Sequence, residues 1–181
     1  MQSLFLSALL LVLPAPLLAD TVYTYTGNDF NTISSPSVFT TADSISGSFT
    51  VATPLGANLE VEVQPVSFSF SDGVETFTQA NTTASSNLVV FTDASGDIIA
   101  WDISLISSDS TNVLTSDDNF IDEGFALVNG VAESGFVEHD SGTWSVSETG
   151  DPSVAPEPST LTFMATGALG LVGIMRRRLH L

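Results

Sequence analysis

His139 stands within Glu138-His139-Asp140, where a base and neighbouring acids could serve a nucleophile. A serine hydrolase also needs a serine held against that base. Serines are frequent, but no Gly-x-Ser-x-Gly elbow occurs, and neither Ser134-Gly135 nor Ser141-Gly142 completes one. His139 therefore reads as a solvated surface histidine. Two carboxylates flanking a bond could run glycoside hydrolysis. Glu60 and Glu62 alternate outward from apolar neighbours, as solvated strand residues do, and Glu75, Glu133 and Glu148 are further acids without a partner that the sequence reveals. Hard cations want several oxygen ligands. The densest oxygen cluster is Asp117, Asp118, Asn119, Asp122 and Glu123, which ends at Gly124 and is the expected place for a Ca²⁺ ion. Asp93, Ser95 and Asp97 form a second cluster, and neither has EF-hand spacing. Asn81-Thr82-Thr83 has the form of a glycosylation sequon.

Charge narrows the chemistry further. The 181 residues carry 21 acids against 3 basic residues, a formal net charge of −18, and the basic residues are Arg176, Arg177 and Arg178. Nothing before them can neutralise phosphates, so nucleic acid is excluded as a partner. Basic clamps for anionic substrates are excluded on the same ground. Without cysteine there is no disulfide framework, zinc-thiolate site or thiol nucleophile. So many carboxylates repel one another, and bound divalent cations would relieve that repulsion.

The elements that must position these residues are strands. Tyr23 and Tyr25 alternate with Val22, Thr24 and Thr26, and Ile45, Phe49 and Val51 alternate with Ser46, Ser48 and Thr50. Leu59, Val61 and Val63 repeat the pattern, as do Val66, Phe68 and Phe70, then Ile99, Trp101, Ile103 and Leu105, then Trp144 and Val146. Period two with one apolar face is the mark of a half-buried strand. Asp72-Gly73 predicts a two-residue hairpin, residues 93–97 a longer one, and Pro54-Leu55-Gly56 and Asn129-Gly130 further turns. No helical periodicity interrupts the series. The expected fold is all-β: an antiparallel β-sandwich of about eight to ten strands over residues 20–148, with the jelly roll as one candidate arrangement. Both tryptophans and most phenylalanines fall on apolar faces and are expected in the core.

The two ends differ from this domain. Residues 1–19 read as a secretory signal peptide: a short apolar run from Leu4 to Leu13, Pro14 and Pro16, then Leu17-Leu18-Ala19, with cleavage expected between Ala19 and Asp20. The run is too short to span a bilayer. Residues 149–158 form a linker rich in proline. Residues 159–175 form an expected transmembrane helix carrying Gly167, Gly170 and Gly173, and residues 176–181 a basic tail. The apolar stretch from Leu161 covers about 22 Å as a helix, against roughly 30 Å of hydrocarbon, so Ser159, Thr160 and snorkelling arginines must extend it. Arginines are retained on the cytoplasmic side, which puts Pro156 and all that precedes it outside the cytoplasm.

Pro156-Glu157-Pro158, the Gly- and Leu-rich stretch and the Arg176-Arg177-Arg178 cluster, in that order, resemble the PEP-CTERM sorting signal of bacteria. That resemblance covers about the last 26 residues. It implies processing by an exosortase, a membrane cysteine transpeptidase that carries the catalytic residues itself, and association with exopolysaccharide and biofilm formation. Independently of the family, prolines on both sides of Glu157 keep the segment extended and unable to join a sheet, which suits a protease cleft.

The expectation from these parts is a non-enzymatic protein of the cell surface or extracellular matrix. It would be anchored briefly in the inner membrane and then released, with exosortase and exopolysaccharide as partners and Ca²⁺ as its one candidate cofactor. A carbohydrate-active enzyme using a carboxylate pair is one alternative. Ice binding is another, because similar tails occur on some ice-binding proteins, but Thr24 with Thr26 and Thr76 with Thr78 form no extended threonine array.

Overall fold

Alternating apolar and hydroxyl side chains give the chain strands with one buried face, and two sheets laid face to face bury them all at once. The computed structural model describes residues 20–118 and 121–148. In chain order the strands are β1 (Thr21–Asp29), β2 (Thr32–Ile33), β3 (Ser44–Val51), β4 (Glu60–Glu62), β5 (Ser67–Ser71) and β6 (Thr76–Thr78). They continue as β7 (Asn87–Thr92), β8 (Ile98–Ile106), β9 (Asn112–Asp117), β10 (Ile121–Val128), β11 (Val131–Glu138) and β12 (Thr143–Glu148). One sheet has the order β12-β1-β3-β5-β6, the other β2-β11-β10-β9-β8-β7-β4, and every pairing is antiparallel. The expected all-β sandwich is present. Its order departs from the jelly roll, because β7 to β11 run as a plain meander within one sheet.

The core is aromatic. Tyr25, Phe49, Phe70 and Phe77 are fully buried, and Trp101 is nearly so. The Trp144 ring lies 5.1 Å from that of Tyr25, 5.6 Å from Phe49 and 6.0 Å from Trp101, centroid to centroid. Tyr23 stacks on Phe49 at 5.1 Å. Rings at these separations add to the free energy of their burial.

Turn chemistry follows the sequence at two places and departs from it at one. Asn129 and Gly130 close β10 onto β11 as a two-residue loop, with φ of 52° and 77°, both positive as a type I′ turn demands. The 93–97 loop joins β7 to β8 with Gly96 at φ 90°. The Asp72-Gly73 hairpin is longer than expected, since Ser71 pairs with Thr76 and four residues lie between. Asp72 explains this: its buried Oδ1 accepts the N–H groups of Val74 and Glu75 at 2.9 and 2.7 Å and rounds the loop off from inside.

The Ile99 expectation also changes. Phe91 pairs with Ala100 but Thr92 with Ile98, so β8 bulges and Ile99 is turned out, 60% exposed, while Trp101, Ile103 and Leu105 stay inside. The strands form one unit, and residues 1–19 and 149–181 lie outside the described residues. The expected signal helix and the 159–175 helix lie there too. Among the described residues no helix is long and apolar enough to cross a membrane.

Candidate functional site

Two crossings between the sheets frame a concavity among the described residues. The first, residues 63–66, takes the chain from β4 to β5, and the second, residues 79–86, takes it from β6 to β7. Between them lies a cleft of about 410 Å³. Phe68 is the first β5 residue past the end of β6, whose last pair is Thr78 with Ser69. Its N–H therefore lacks a strand partner there, and Gln79 Oε1 accepts it at 3.0 Å. The Phe68 ring is half-buried on the same face as the fully buried Phe70.

The opposite wall is equally fixed. Thr82 donates from Oγ1 to the Thr78 carbonyl at 2.8 Å and bridges to Ser107. Thr83 N–H donates to the Ile106 carbonyl at 2.9 Å, and Ser86 Oγ accepts the Ile106 N–H at 3.0 Å. Asn81, at the sequon, is absorbed in the turn: its Oδ1 accepts the Thr78 N–H at 2.7 Å and its Nδ2 donates to the Thr76 carbonyl at 2.8 Å. Gln64 and Asn87 add amides to the lining, and Glu62 is the one carboxylate among the described lining residues. Thr83 Oγ1 is shut off from solvent without a hydrogen-bond partner among the described residues. The cleft thus offers amide and hydroxyl groups beside the Phe68 ring, with Glu62 as the one carboxylate among its described lining residues. Two smaller hollows of about 240 and 260 Å³ lie beside β12 and share Tyr23, Asp97 and Val146.

The acidic cluster expected to take Ca²⁺ is divided by strand alternation. Asp117 ends β9, where it pairs with Asp102, and Asp118 follows it. Asp122 and Glu123 are consecutive on β10 and so point to opposite faces, while Asn119 lies outside the described residues. Asp122 is 2% exposed and accepts the Tyr25 hydroxyl at Oδ2 from 2.8 Å. Burial pushes the Asp122 carboxyl up to about 6, against the pull of hydrogen bonds from Ser116 and Tyr25. The Tyr25 hydroxyl is raised as well, first by burial and then by the charge of Asp122. Burial also raises Glu123.

Around this pair a polar thread crosses the interior. Gly142 N–H donates to Tyr25 Oη at 2.8 Å, and Trp101 Nε1 donates to Ser116 Oγ at 2.9 Å. Asp93 Oδ1 spends itself on the N–H groups of Ser95 and Asp97 at 2.7 and 3.1 Å, so the second oxygen cluster is in fact the scaffold of its own loop. Among the described residues no group of three or more His, Asp or Glu is placed to hold a metal ion. His139 sits at φ 57° just after β11, exposed, and Glu138 and Asp140 are exposed beside it.

Asp20 is exposed at the start of β1, and Ala19 lies outside the described residues. So do Pro156, Glu157, Pro158, Arg176, Arg177 and Arg178. For these the comparison with known families decides. The family model described as the PEP-CTERM protein-sorting motif matches residues 154–178. The chain carries a PEP-CTERM sorting motif. All six tail residues fall inside the match, which follows β12 after residues 149–153. The PEP-CTERM motif marks an exosortase substrate that is exported and passes through a membrane-anchored stage before reaching the surface or the medium. No curated protein and no solved structure matches the chain. The PEP-CTERM motif therefore speaks for the route of the protein, and the β-sandwich must speak for its work.

Proposed function

We propose that the protein is a non-enzymatic component of the extracellular matrix, delivered by exosortase and acting with exopolysaccharide. The observation that carries this reading is the PEP-CTERM motif at 154–178, immediately downstream of a folded β domain. In this reading the 159–175 segment holds the domain at the inner membrane, on the side away from the cytoplasm, until the tail is cut. The cleft supports a binding role over turnover, since its lining is made of amides, hydroxyls and Phe68 with a single carboxylate.

The acidic excess gives a second route to the matrix. A net charge of −18 repels acidic polymers unless divalent cations bridge the two. Retention of the exported protein on the host's purified exopolysaccharide, with Ca²⁺ and with chelator, tests the reading. Retention in at least one condition is expected, together with an altered biofilm when the gene is deleted. No retention in either condition and an unchanged biofilm would overturn it.

A further inference from the structure

We infer that the cleft between the 63–66 and 79–86 crossings binds a neutral saccharide, laid on the Phe68 ring and held by Gln64, Gln79 and Asn87. This inference rests on the matrix reading and names the class of ligand.

Charge decides the class first. No lysine or arginine precedes Arg176, and Glu62 is the only charged group in the described lining, so an anionic sugar would meet repulsion and nothing to offset it. A neutral sugar meets no such penalty. Its hydroxyls are both donors and acceptors, and so are the amides and hydroxyls that face them across the cleft. The nonpolar C–H face of a sugar ring needs an apolar platform, and Phe68 supplies one where β6 stops and leaves it half-uncovered.

Preorganisation points the same way. Gln79 is tied to the Phe68 N–H, Thr82 to the Thr78 carbonyl and Ser86 to Ile106, so both walls are fixed before any ligand arrives. Fixed walls reduce the ordering cost of binding. The volume, about 410 Å³, lies within the usual range of small-molecule sites.

The test uses the full-length protein in a detergent without a sugar headgroup. Isothermal titration with malto-, cello-, laminari- and mannohexaose is set beside polygalacturonate as the anionic probe. At least one neutral hexaose should bind, unchanged by chelator or by added salt, and polygalacturonate should not. Phe68→Ala should weaken that binding about tenfold or more. Because Phe68→Ala removes a partly buried ring and could unfold the domain, Ala84→Trp serves as the second variant. Ala84 is exposed on the cleft lining, so a bulky side chain there blocks the site without removing a core contact. Val131→Thr, on the exposed β10–β11 hairpin, should bind as the parent does. Failure of every neutral hexaose to bind, or unaltered binding by a folded Ala84→Trp, would overturn the inference. Retention on host exopolysaccharide under chelator, where cation bridging is removed, that survives in both folded cleft variants would overturn it too, while leaving the matrix reading in place.

Discussion

The Tyr25 hydroxyl donates to Asp122 Oδ2 at 2.8 Å, reaching from β1 in one sheet to the inner face of β10 in the other. It makes a carboxyl part of the core. Asp122 ionises at about 6 in the fold against an ordinary 3.8, because burial penalises the charge. A raised carboxyl pKa means that the folded state holds its proton longer than the unfolded chain does, so stability falls as pH rises through that window.

The first prediction follows from that sign. Unfolding free energy should decline between about pH 4 and pH 6 from this group and level off above. Asp122→Asn keeps an oxygen for the Tyr25 hydroxyl and removes the titration. Its curve should be flatter across that window, and the variant should be more stable at pH 7 by up to about 3 kcal/mol. Urea unfolding of both proteins at a series of pH values measures this. Other carboxylates tilt both curves alike, so the difference between them reports Asp122, and parallel curves would contradict the assignment.

Trp144 anchors the edge strand β12 to the core. Its ring meets Tyr25, Phe49, Phe70 and Trp101, whereas Val146 on the same strand is 54% exposed. Trp144→Ala should cost about 3–5 kcal/mol. Val146→Ala should stay within about 0.5 kcal/mol of the parent. Denaturant midpoints of the two variants check the contrast, and equal effects would mean that β12 is held by its backbone bonds to β1 alone.

Divalent cations should stabilise the domain without a defined stoichiometry. The Asp117–Glu123 acids are split between strand faces, and a diffuse atmosphere of cations relieves carboxylate repulsion wherever it is felt. Ca²⁺ and Mg²⁺ at equal ionic strength should raise the melting temperature alike, and Asp122→Asn should leave Ca²⁺ uptake unchanged. A saturable response to Ca²⁺ alone would point to a specific site.

The sequence made the strands legible wherever the period-two pattern and the core agreed. Tyr23 with Tyr25 and Ile45 with Phe49 are such places, and Asn129-Gly130 announced its turn. On β10 hydrophobicity points the wrong way: Asp122, Gly124 and Ala126 face inward while Leu127 is 43% exposed. The reason is non-local. Phe39 fills the space over Gly124, where a Cβ would lie 2.6 Å from its ring, and Tyr25 needs an acceptor where Asp122 stands.

That same inversion made Asp122 look like a surface ligand when the chain was read in one dimension. The cleft gave no local signal either, because Gln64, Phe68, Gln79 and Thr83 meet only when two separate crossings come together. The sorting motif in the tail was legible, since Pro156, Glu157 and Pro158 with the arginine cluster form a linear motif that needs no fold to be recognised.

The mass of the chain recovered from the host surface and medium, compared between the parent strain and one lacking its exosortase, tests the central claim most directly. The account predicts a released form in the parent that begins at or near Asp20 and has lost Arg176, Arg177 and Arg178. In the deletion strain the chain should keep its whole tail and stay with the membrane fraction. An identical released form in both strains would contradict sorting by the 154–178 motif.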